Sequence, residues 1–290
     1  MRILILGANG MLGNAMMRVL AEKKDWEVHG TVRSAAACRL FDTADAGRLH
    51  VGVDVEQGDA LTAVFAKVRP SLVVNCVGQV KQLQEASDPL RAIPINALLP
   101  HRLARLCELA CARMVQISTD CVFAGDRGMY RESDPADAQD LYGRSKFLGE
   151  VAYPHTITLR TSIIGHELNS THGLIDWFLS QQGSCKGYTR TVFSGLPTVE
   201  LARVVRDVVT QQQQLHGVYH VAAEPIAKHD LLTLVAQVYG KSIDIVPDDT
   251  VRLDRSLDGS RFATATGYVA PDWLTLVKTM HKYREAQDVR

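Results

Sequence analysis

The chain has 290 residues, of which 46% are hydrophobic and 22% charged, and its formal net charge at pH 7 is zero. This composition is typical of a globular chain that can bury a sizeable core without disulfide or metal support. The neutral charge balance and the absence of a basic run argue against nucleic acid or an anionic membrane as a partner.

The N-terminal apolar run, residues 3–6, is only four residues long and is followed directly by a glycine. It is too short for the core of a signal peptide or for a membrane span. No other segment approaches 18 apolar residues in a row. The sequence therefore predicts a cytoplasmic protein with no membrane contact.

The six cysteines form no CxxC pair, and we expect free thiols and no metal site. They stand at Cys38, Cys76, Cys107, Cys111, Cys121 and Cys185.

The first half of the chain alternates between strand and helix patterns. Short β-rich runs occur at residues 3–6, 27–32, 49–54, 71–77, 113–119 and 156–161. Helical spacing occurs between them, at residues 11–23, 59–68, 96–112 and around 142–150. This alternation predicts an α/β fold of the Rossmann type, a doubly wound parallel sheet with helices on both faces.

The second half is less regular and indicates a smaller, interleaved substrate domain. Helical patterns lie at 172–182, 199–214, 229–240 and about 272–286, and a strand pattern at 217–223. We predict a dinucleotide-binding domain of residues 1–158, to which 192–222 contribute. Residues 159–191 and 223–290 would form the substrate domain.

A glycine-rich segment, GANGMLG, follows the first strand and opens the first helix. Its glycines permit a tight turn and close approach of the backbone to a pyrophosphate, and the helix N-terminus favours negative charge. At the first β–α junction of an alternating chain, this pattern predicts a dinucleotide site. The expected contacts are Gly7, Asn9, Gly10, Met11, Leu12 and Gly13.

The end of the second strand predicts the choice of cofactor. An acidic residue there would bind the 2′-hydroxyl of the adenosine ribose and repel a 2′-phosphate. This chain instead has Arg33, with Arg39 as a further cation, which favours NADP(H) and leaves NAD(H) as the alternative. Asp54 and Val55 follow the third strand, where they would contact the adenine.

Six segments in order resemble the extended short-chain dehydrogenase/reductase family, and within it the pattern of the dTDP-4-dehydrorhamnose reductases. They are GANGMLG, NCVG (75–78), STDCVF (118–123), YGRSK (142–146), LRTS (159–162) and SGLPT (194–198). The resemblance extends over nearly the whole chain. It implies a nucleotide-sugar substrate and places Cys76, Val77 and Gly78 beside the cofactor.

The resemblance also implies a catalytic set of Thr119, Tyr142 and Lys146. Tyr142 would exchange a proton with the sugar oxygen, and Thr119 would hydrogen-bond the same oxygen. Helical spacing of four places Lys146 on the same helix face as Tyr142, where it could also bind the nicotinamide ribose. Lowering a tyrosine pKa from about 10 to about 7 requires roughly 4 kcal/mol. A nearby ammonium and an oxidised nicotinamide can supply it.

The substrate side departs from the family pattern at several positions. Dehydratases of the family have Asp-Glu after the threonine, whereas this chain has Asp120 and Cys121, which argues against dehydration. Asp120 is expected to bind a substrate hydroxyl. Asn96 is assigned to the substrate side, where its counterpart positions the lysine or a water; the alternative is an N-cap of the following helix. Lys186 and Arg255 could reach a diphosphate or base.

These observations predict NADPH-dependent reduction of the 4-keto group of a nucleotide-diphosphate-linked 4-keto-6-deoxyhexose, as in polysaccharide biosynthesis. Two alternatives remain open. One is an epimerase of the same fold, which would hold NAD tightly. The other is a non-catalytic NADP-binding regulatory subunit. The family habit of pairing through helices also allows a homodimer.

Overall fold

A seven-stranded parallel sheet lies at the centre of the computed structural model, which describes residues 1–79, 87–168 and 171–288. The strands are β1 (Arg2–Leu6), β2 (Glu27–Val32), β3 (Leu49–Val51), β4 (Leu72–Asn75), β5 (Arg113–Thr119), β6 (Thr156–Thr161), β7 (Ile163–Ile164), β8 (Ser184–Tyr188), β9 (Thr191–Phe193), β10 (Leu196–Pro197), β11 (Gly217–His220), β12 (Ile226–Ala227), β13 (Asp244–Asp248) and β14 (Leu253–Asp254). The main sheet has the order β11-β6-β5-β4-β1-β2-β3. The predicted doubly wound fold is confirmed.

The helices follow the predicted alternation but differ at their ends. They are α1 (Met11–Leu20), α2 (Thr43–Ala46), α3 (Gly58–Val68), α4 (Pro89–Ala92), α5 (Leu99–Leu109), α6 (Leu141–Leu148), α7 (Leu174–Ser180), α8 (Thr198–Arg203), α9 (Lys228–Tyr239), α10 (Ser260–Thr266) and α11 (Trp273–Asp288). π-Helical turns continue two of them, at Ile93–Leu98 and Val204–Val209. The helix predicted at 96–112 thus begins at Pro89, where Asp88 caps it, and ends at Leu109.

Two apolar cores cover the two faces of the sheet. Side chains alternate along a strand, so Ile3 and Ile5 of β1 face one core, and Leu4 and Leu6 face the other. The first core contains the apolar faces of α1, α8, α9 and α11, and the second those of α3 and α5. Burial on both faces explains why β1 and β4 are continuous apolar runs.

Small sheets formed by the second half of the chain lie beside the main sheet. β9 lies between β12, which is antiparallel to it, and β14, which is parallel. β8 pairs with β13, and β7 with β10. The sequence did not predict these short strands. The proposed division into two domains stays a proposal, but β6 continues to Thr161, so a boundary at residue 158 would divide a strand of the main sheet.

A buried ion pair joins the carboxyl end of β6 to the segment that follows α6. The Arg160 guanidinium donates two hydrogen bonds of 2.7 Å to the Glu150 carboxylate, and the Ser118 hydroxyl donates a third of 2.7 Å. Arg160 also donates to Nε2 of His220 at 3.2 Å, while Nδ1 of His220 bonds to the Tyr130 carbonyl at 3.0 Å. Burial, with Arg160 beside it, lowers the pKa of His220 to about 4.

None of the helices in the described ranges is both long enough and apolar enough to cross a membrane.

The lowered pKa of His220 predicts a specific loss of stability in acid. Below pH 6.5 the unfolded chain binds a proton that folded His220 does not accept until about pH 4. The folded state therefore loses about 3 kcal/mol across this window. His220→Gln can keep the hydrogen bonds but cannot titrate, so the difference in unfolding free energy between wild type and variant should shrink as the pH falls.

Urea unfolding between pH 7 and pH 4.5 measures this difference, with His216→Gln as the control at an exposed histidine. A difference for His220→Gln that is constant with pH would contradict the assignment.

Candidate active site

The glycine-rich loop forms a tight turn at the N-terminus of α1. Gly7 has a φ of 78°, and the amide of Gly10 donates to the Gly7 carbonyl at 3.1 Å. A Cβ atom at Gly13 would lie 2.0 Å from that carbonyl oxygen, so only glycine permits this packing. A Cβ at Gly10 would meet only the Gly7 oxygen, at 3.5 Å, so the mouth of the loop is open.

The first-turn amides of α1 are available to an anion. The first amides of a helix have no carbonyl partner within it, and the helix dipole favours negative charge at this end. Asn9 and Gly10 are exposed at the loop mouth, Met11 is partly exposed, and Leu12 and Gly13 are buried. This cradle fits a pyrophosphate, as the sequence predicted, and the individual contacts stay predictions.

The predicted adenosine residues lie along the neighbouring strand ends. Arg33 is exposed directly after β2, and Arg39 is exposed on the 3₁₀ turn Ala35–Leu40. The Asp54 side chain accepts the amide of Glu56 at 3.0 Å, and Val55 is buried. Arg33 forms no ion pair within the described ranges, so its charge is available to a ligand.

The segment after β4 brings the cofactor loop and the catalytic helix together. Val77 packs against Gly7, where a Cβ atom would lie 3.0 Å from the Val77 methyl. A Cβ at Gly78 would lie 3.7 Å from Lys146 Nζ. Burial raises the pKa of the neighbouring Cys76 thiol to about 12, so it stays neutral.

Two glycines allow α6 to pack closely against the turn after β5 and against the π-helical turn Ile93–Leu98. The Asp140 side chain caps the helix by accepting the Gly143 amide at 2.8 Å. A Cβ at Gly143 would lie 2.2 Å from the Cys121 carbonyl oxygen, and one at Gly149 would lie 1.9 Å from the Asn96 carbonyl oxygen. This close approach places Tyr142 against the turn that follows β5.

The turn after β5 holds the predicted hydroxyl and carboxylate. The Thr119 hydroxyl accepts the Cys121 amide at 3.1 Å and donates to Asp120 Oδ1 at 3.0 Å. The same hydroxyl acts on Tyr142, whose pKa it lowers against the effect of burial. The structure thus brings Thr119 and Tyr142 together, at the carboxyl end of a parallel strand where ligands bind in such sheets.

The protein's own groups raise the pKa of Tyr142, whereas the expected lowering depends on Lys146 together with an oxidised nicotinamide. Burial is the largest cause, and the nearby Cys121 adds to it, while the Thr119 hydrogen bond opposes it. The protein's own groups therefore keep Tyr142 protonated, which suits a proton donor.

Lys146 lies deep in the site. Its Nζ donates to the Ile117 carbonyl at 2.8 Å. Burial lowers its pKa to about 8, although Glu150 opposes this effect. An ammonium on the same helix face as Tyr142 can hold hydroxyl groups or a developing negative charge.

Asn96 links the segment after β4 to α6 through the hydrogen bonds of its buried side chain. It lies inside the π-helical turn Ile93–Leu98, so the alternative that it caps a helix is wrong. Its Oδ1 accepts the Gln79 amide at 2.9 Å, and its Nδ2 donates to Ser145 Oγ at 3.2 Å. Both ends of this buried side chain are bonded to protein, and its assignment as a substrate ligand stays a prediction.

Three charged side chains act on one another on the substrate side: Asp120, Arg255 and Lys228. The sequence patterns predicted only the first two. Arg255 donates from Nε to the Phe123 carbonyl at 2.8 Å and from Nη1 to Cys121 Sγ at 3.9 Å. Lys228, the first residue of α9, is the missed cation, and its charge acts on Asp120. No motif marked it. Burial raises the pKa of Asp120, against the opposing Thr119 bond and Arg255 charge.

Lys186 lies on β8 instead, where its ammonium pairs with the Asp248 carboxylate at 2.8 Å. The structure does not join it to the group around Asp120. Across residues 1–79, 87–168 and 171–288, no three His, Cys, Asp or Glu side chains are arranged to hold a metal ion.

Two curated relatives of the chain are a sugar-nucleotide reductase and a subunit of another enzyme. A dTDP-4-dehydrorhamnose reductase from Streptomyces griseus is 35% identical over 152 residues, covering 52% of this chain and 44% of the relative. The match thus spans less than half of that relative's length. The methionine adenosyltransferase 2 subunit beta of Danio rerio is 26% identical, covering 82% of this chain and 74% of the relative.

The fold has a solved counterpart. The dTDP-4-dehydrorhamnose reductase of Bacillus anthracis, solved in complex with NADP, superposes with a TM-score of 0.80 at 19% identity. It covers 97% of this chain and 98% of the other. The chain also matches the family described as RmlD substrate binding domain over residues 1–282. The resemblance seen in the sequence is confirmed, and the chain belongs to the RmlD substrate-binding domain family.

Proposed function

We propose that the chain reduces the 4-keto group of a nucleotide-diphosphate-linked 4-keto-6-deoxyhexose with NADPH. The observation that carries the proposal is the arrangement around α6: Tyr142 and Lys146 lie one turn apart on it. Tyr142 is under the influence of Thr119, and Lys146 lies beside Gly78, in the segment that packs against the glycine loop. Family membership and the name of the Streptomyces relative support the substrate class.

Each side chain has a defined role in this reaction. The bound cofactor would supply the hydride to the sugar carbon. Tyr142, kept protonated by burial, donates its proton to the keto oxygen as negative charge develops there. Thr119 hydrogen-bonds the same oxygen, and Lys146 holds the nicotinamide ribose and stabilises the phenolate left on Tyr142.

Arg33 supports NADP(H) over NAD(H). It is exposed at the end of β2, and no acidic residue stands there to repel a 2′-phosphate. The NADP complex of the Bacillus anthracis neighbour is consistent with this choice.

A second candidate is a non-catalytic NADP-binding subunit. The similarity to a protein named as a subunit of methionine adenosyltransferase favours it. NADPH binding without reduction of any nucleotide 4-keto sugar would support this candidate against the reductase. Tightly held NAD⁺ in the purified protein would instead favour an epimerase.

We also propose that the chain pairs with a second copy through α6 and the turn preceding α5. Leu98, Phe147 and Leu148 are large apolar side chains exposed on these neighbouring elements, and Leu148 is 61% exposed. Large apolar side chains exposed on neighbouring elements are typical of an interaction surface.

The catalytic role predicts that Tyr142→Phe loses activity without losing the cofactor. Removal of the phenolic proton donor should lower kcat by about 10²–10⁴-fold. The dissociation constant for NADPH should stay within about threefold of wild type, because the ring is retained. Oxidation of NADPH with dTDP-4-keto-6-deoxyglucose measures the activity, and fluorescence titration measures the binding.

Tyr153→Phe is the matched control, since that hydroxyl bonds to His101 at 3.1 Å, away from the site. Wild-type activity in Tyr142→Phe would remove the proposed proton donor.

The cofactor assignment predicts that Arg33→Ala weakens NADPH binding about tenfold or more, because a charged hydrogen bond to phosphate is lost. NADH affinity should hardly change. Arg39→Ala tests the second cation by the same titrations. An equal loss for both cofactors, or no loss, would show that Arg33 does not recognise the 2′-phosphate.

The pairing surface predicts that Leu148→Glu converts a dimer to a monomer, since a charge at an apolar contact is costly. Light scattering after size-exclusion chromatography measures the mass. Val269→Glu, at another exposed apolar residue, is the control. A monomeric wild-type protein would contradict the surface outright.

A further inference from the structure

Two buried amide side chains lie where one apolar face of the main sheet meets the site. Val73 of β4 and Met114 of β5 belong to the second core, and alternation places Asn75 and Gln116, two residues further along, on the same face. Asn75 and Gln116 are register partners at the end of β4 and are only 1% and 2% exposed. Amide groups withdrawn from water to this extent need hydrogen-bond partners within the protein.

The partners of these two amides form one directed chain of hydrogen bonds. The Val77 backbone amide donates to Asn75 Oδ1 at 3.1 Å, and Asn75 Nδ2 donates to Gln116 Oε1 at 2.8 Å. Gln116 Nε2 donates in turn to the Ile117 carbonyl at 3.1 Å. The same carbonyl accepts the Lys146 ammonium at 2.8 Å. Because the Val77 amide can only donate, it fixes the orientation of both side-chain amides along the chain.

This chain joins the cofactor side of the site to the lysine. Val77 packs against Gly7 of the glycine loop, and the Ile117 carbonyl accepts Lys146. An ammonium is a compact charge on a flexible stem, so the acceptors that it meets decide where it lies. Gln116 shares the acceptor of Lys146 and thereby ties the position of the ammonium to the segment after β4.

Gln116 is also close enough to act on the charge of Lys146. Two nitrogens bonded to one oxygen lie at most about 6 Å apart, a range in which a charge shifts the pKa of its neighbour. Burial lowers the pKa of Lys146 to about 8, and the charge of Glu150 opposes this effect. A carboxylate in place of the Gln116 amide would oppose it further. The pKa of Lys146 therefore reports on the side chain at position 116.

We propose that Gln116 is a positioning residue: its amide, oriented by Asn75, fixes the carbonyl that holds the ammonium of Lys146. Gln116 lies outside the segments that resemble the reductase family, so the sequence patterns did not mark it. This inference deepens the function proposed above and rests on it, whereas the titration of Lys146 can be measured without turnover.

Two substitutions of Gln116 test the proposal. Gln116→Met removes the donor and the acceptor at similar length, and kcat should fall about tenfold or more, because a displaced ammonium no longer meets the ribose and the phenolate. Gln116→Glu keeps the acceptor for Asn75 but replaces the donor by a carboxylate, which should raise the pKa of Lys146 by about one unit or more. NMR of protein labelled with ¹⁵N-lysine follows this titration, and Lys146→Arg assigns the signal.

Thr158→Val is the matched control. Thr158 is the register partner of Gln116 on β6, is equally buried, and bonds to the backbone of Val151. Valine has nearly the same volume without the hydroxyl, so this variant loses buried hydrogen bonds on the same sheet face and should lose stability. Its kcat should stay within about twofold of wild type, and the pKa of Lys146 should not move.

Two results overturn the proposal. A kcat for Gln116→Met no lower than that of Thr158→Val shows that the amide serves only the stability of the sheet. An unchanged pKa of Lys146 in Gln116→Glu shows that position 116 does not reach the ammonium. Failure of the wild-type protein to reduce any nucleotide 4-keto sugar contradicts the proposed function instead, and the titration of Lys146 still tests its positioning.

Discussion

The close seating of α6 between Gly143 and Gly149 is the constraint on which the site depends. The Cys121 and Asn96 carbonyls occupy the space that a side chain would need at these two glycines. Any larger residue would have to move the helix, and Tyr142 and Lys146 would move with it. Because the same helix faces the turn after β5 and the segment after β4, its position sets the relation of the proposed proton donor to both substrate and cofactor.

Burial has opposite effects on the two ionisable side chains of this helix. It raises the pKa of Tyr142 and lowers that of Lys146 to about 8, in each case because the charged form is disfavoured. A protonated phenol is the form that a keto reduction requires at its start. The chain's own groups thus hold Tyr142 in that form.

Much of this arrangement could be predicted from the sequence because it is local. Apolar runs alternating with helical spacing are sufficient for the parallel sheet, and the glycines of the first turn are sufficient for the phosphate cradle. The two-residue strands β7, β10, β12 and β14 could not be predicted, because so short a run has no measurable periodicity. The influence of Lys228 on the site could not be predicted for a related reason. Its charge acts on Asp120 only in the folded chain, because the two residues are more than a hundred positions apart in sequence. The effect of burial on the pKa of Tyr142 could not be predicted, because burial is not visible in a motif.

Transfer of deuterium from the 4-position of NADPH to the sugar tests the central claim most directly. Incubation of the protein with 4-deuterated NADPH of each facial label and dTDP-4-keto-6-deoxyglucose, followed by NMR of the product, locates the label. The account predicts deuterium at C4 of the sugar with one of the two labels, and its loss when Tyr142 is replaced by Phe. Oxidation of NADPH without deuterium at C4, or a product labelled elsewhere, would contradict it.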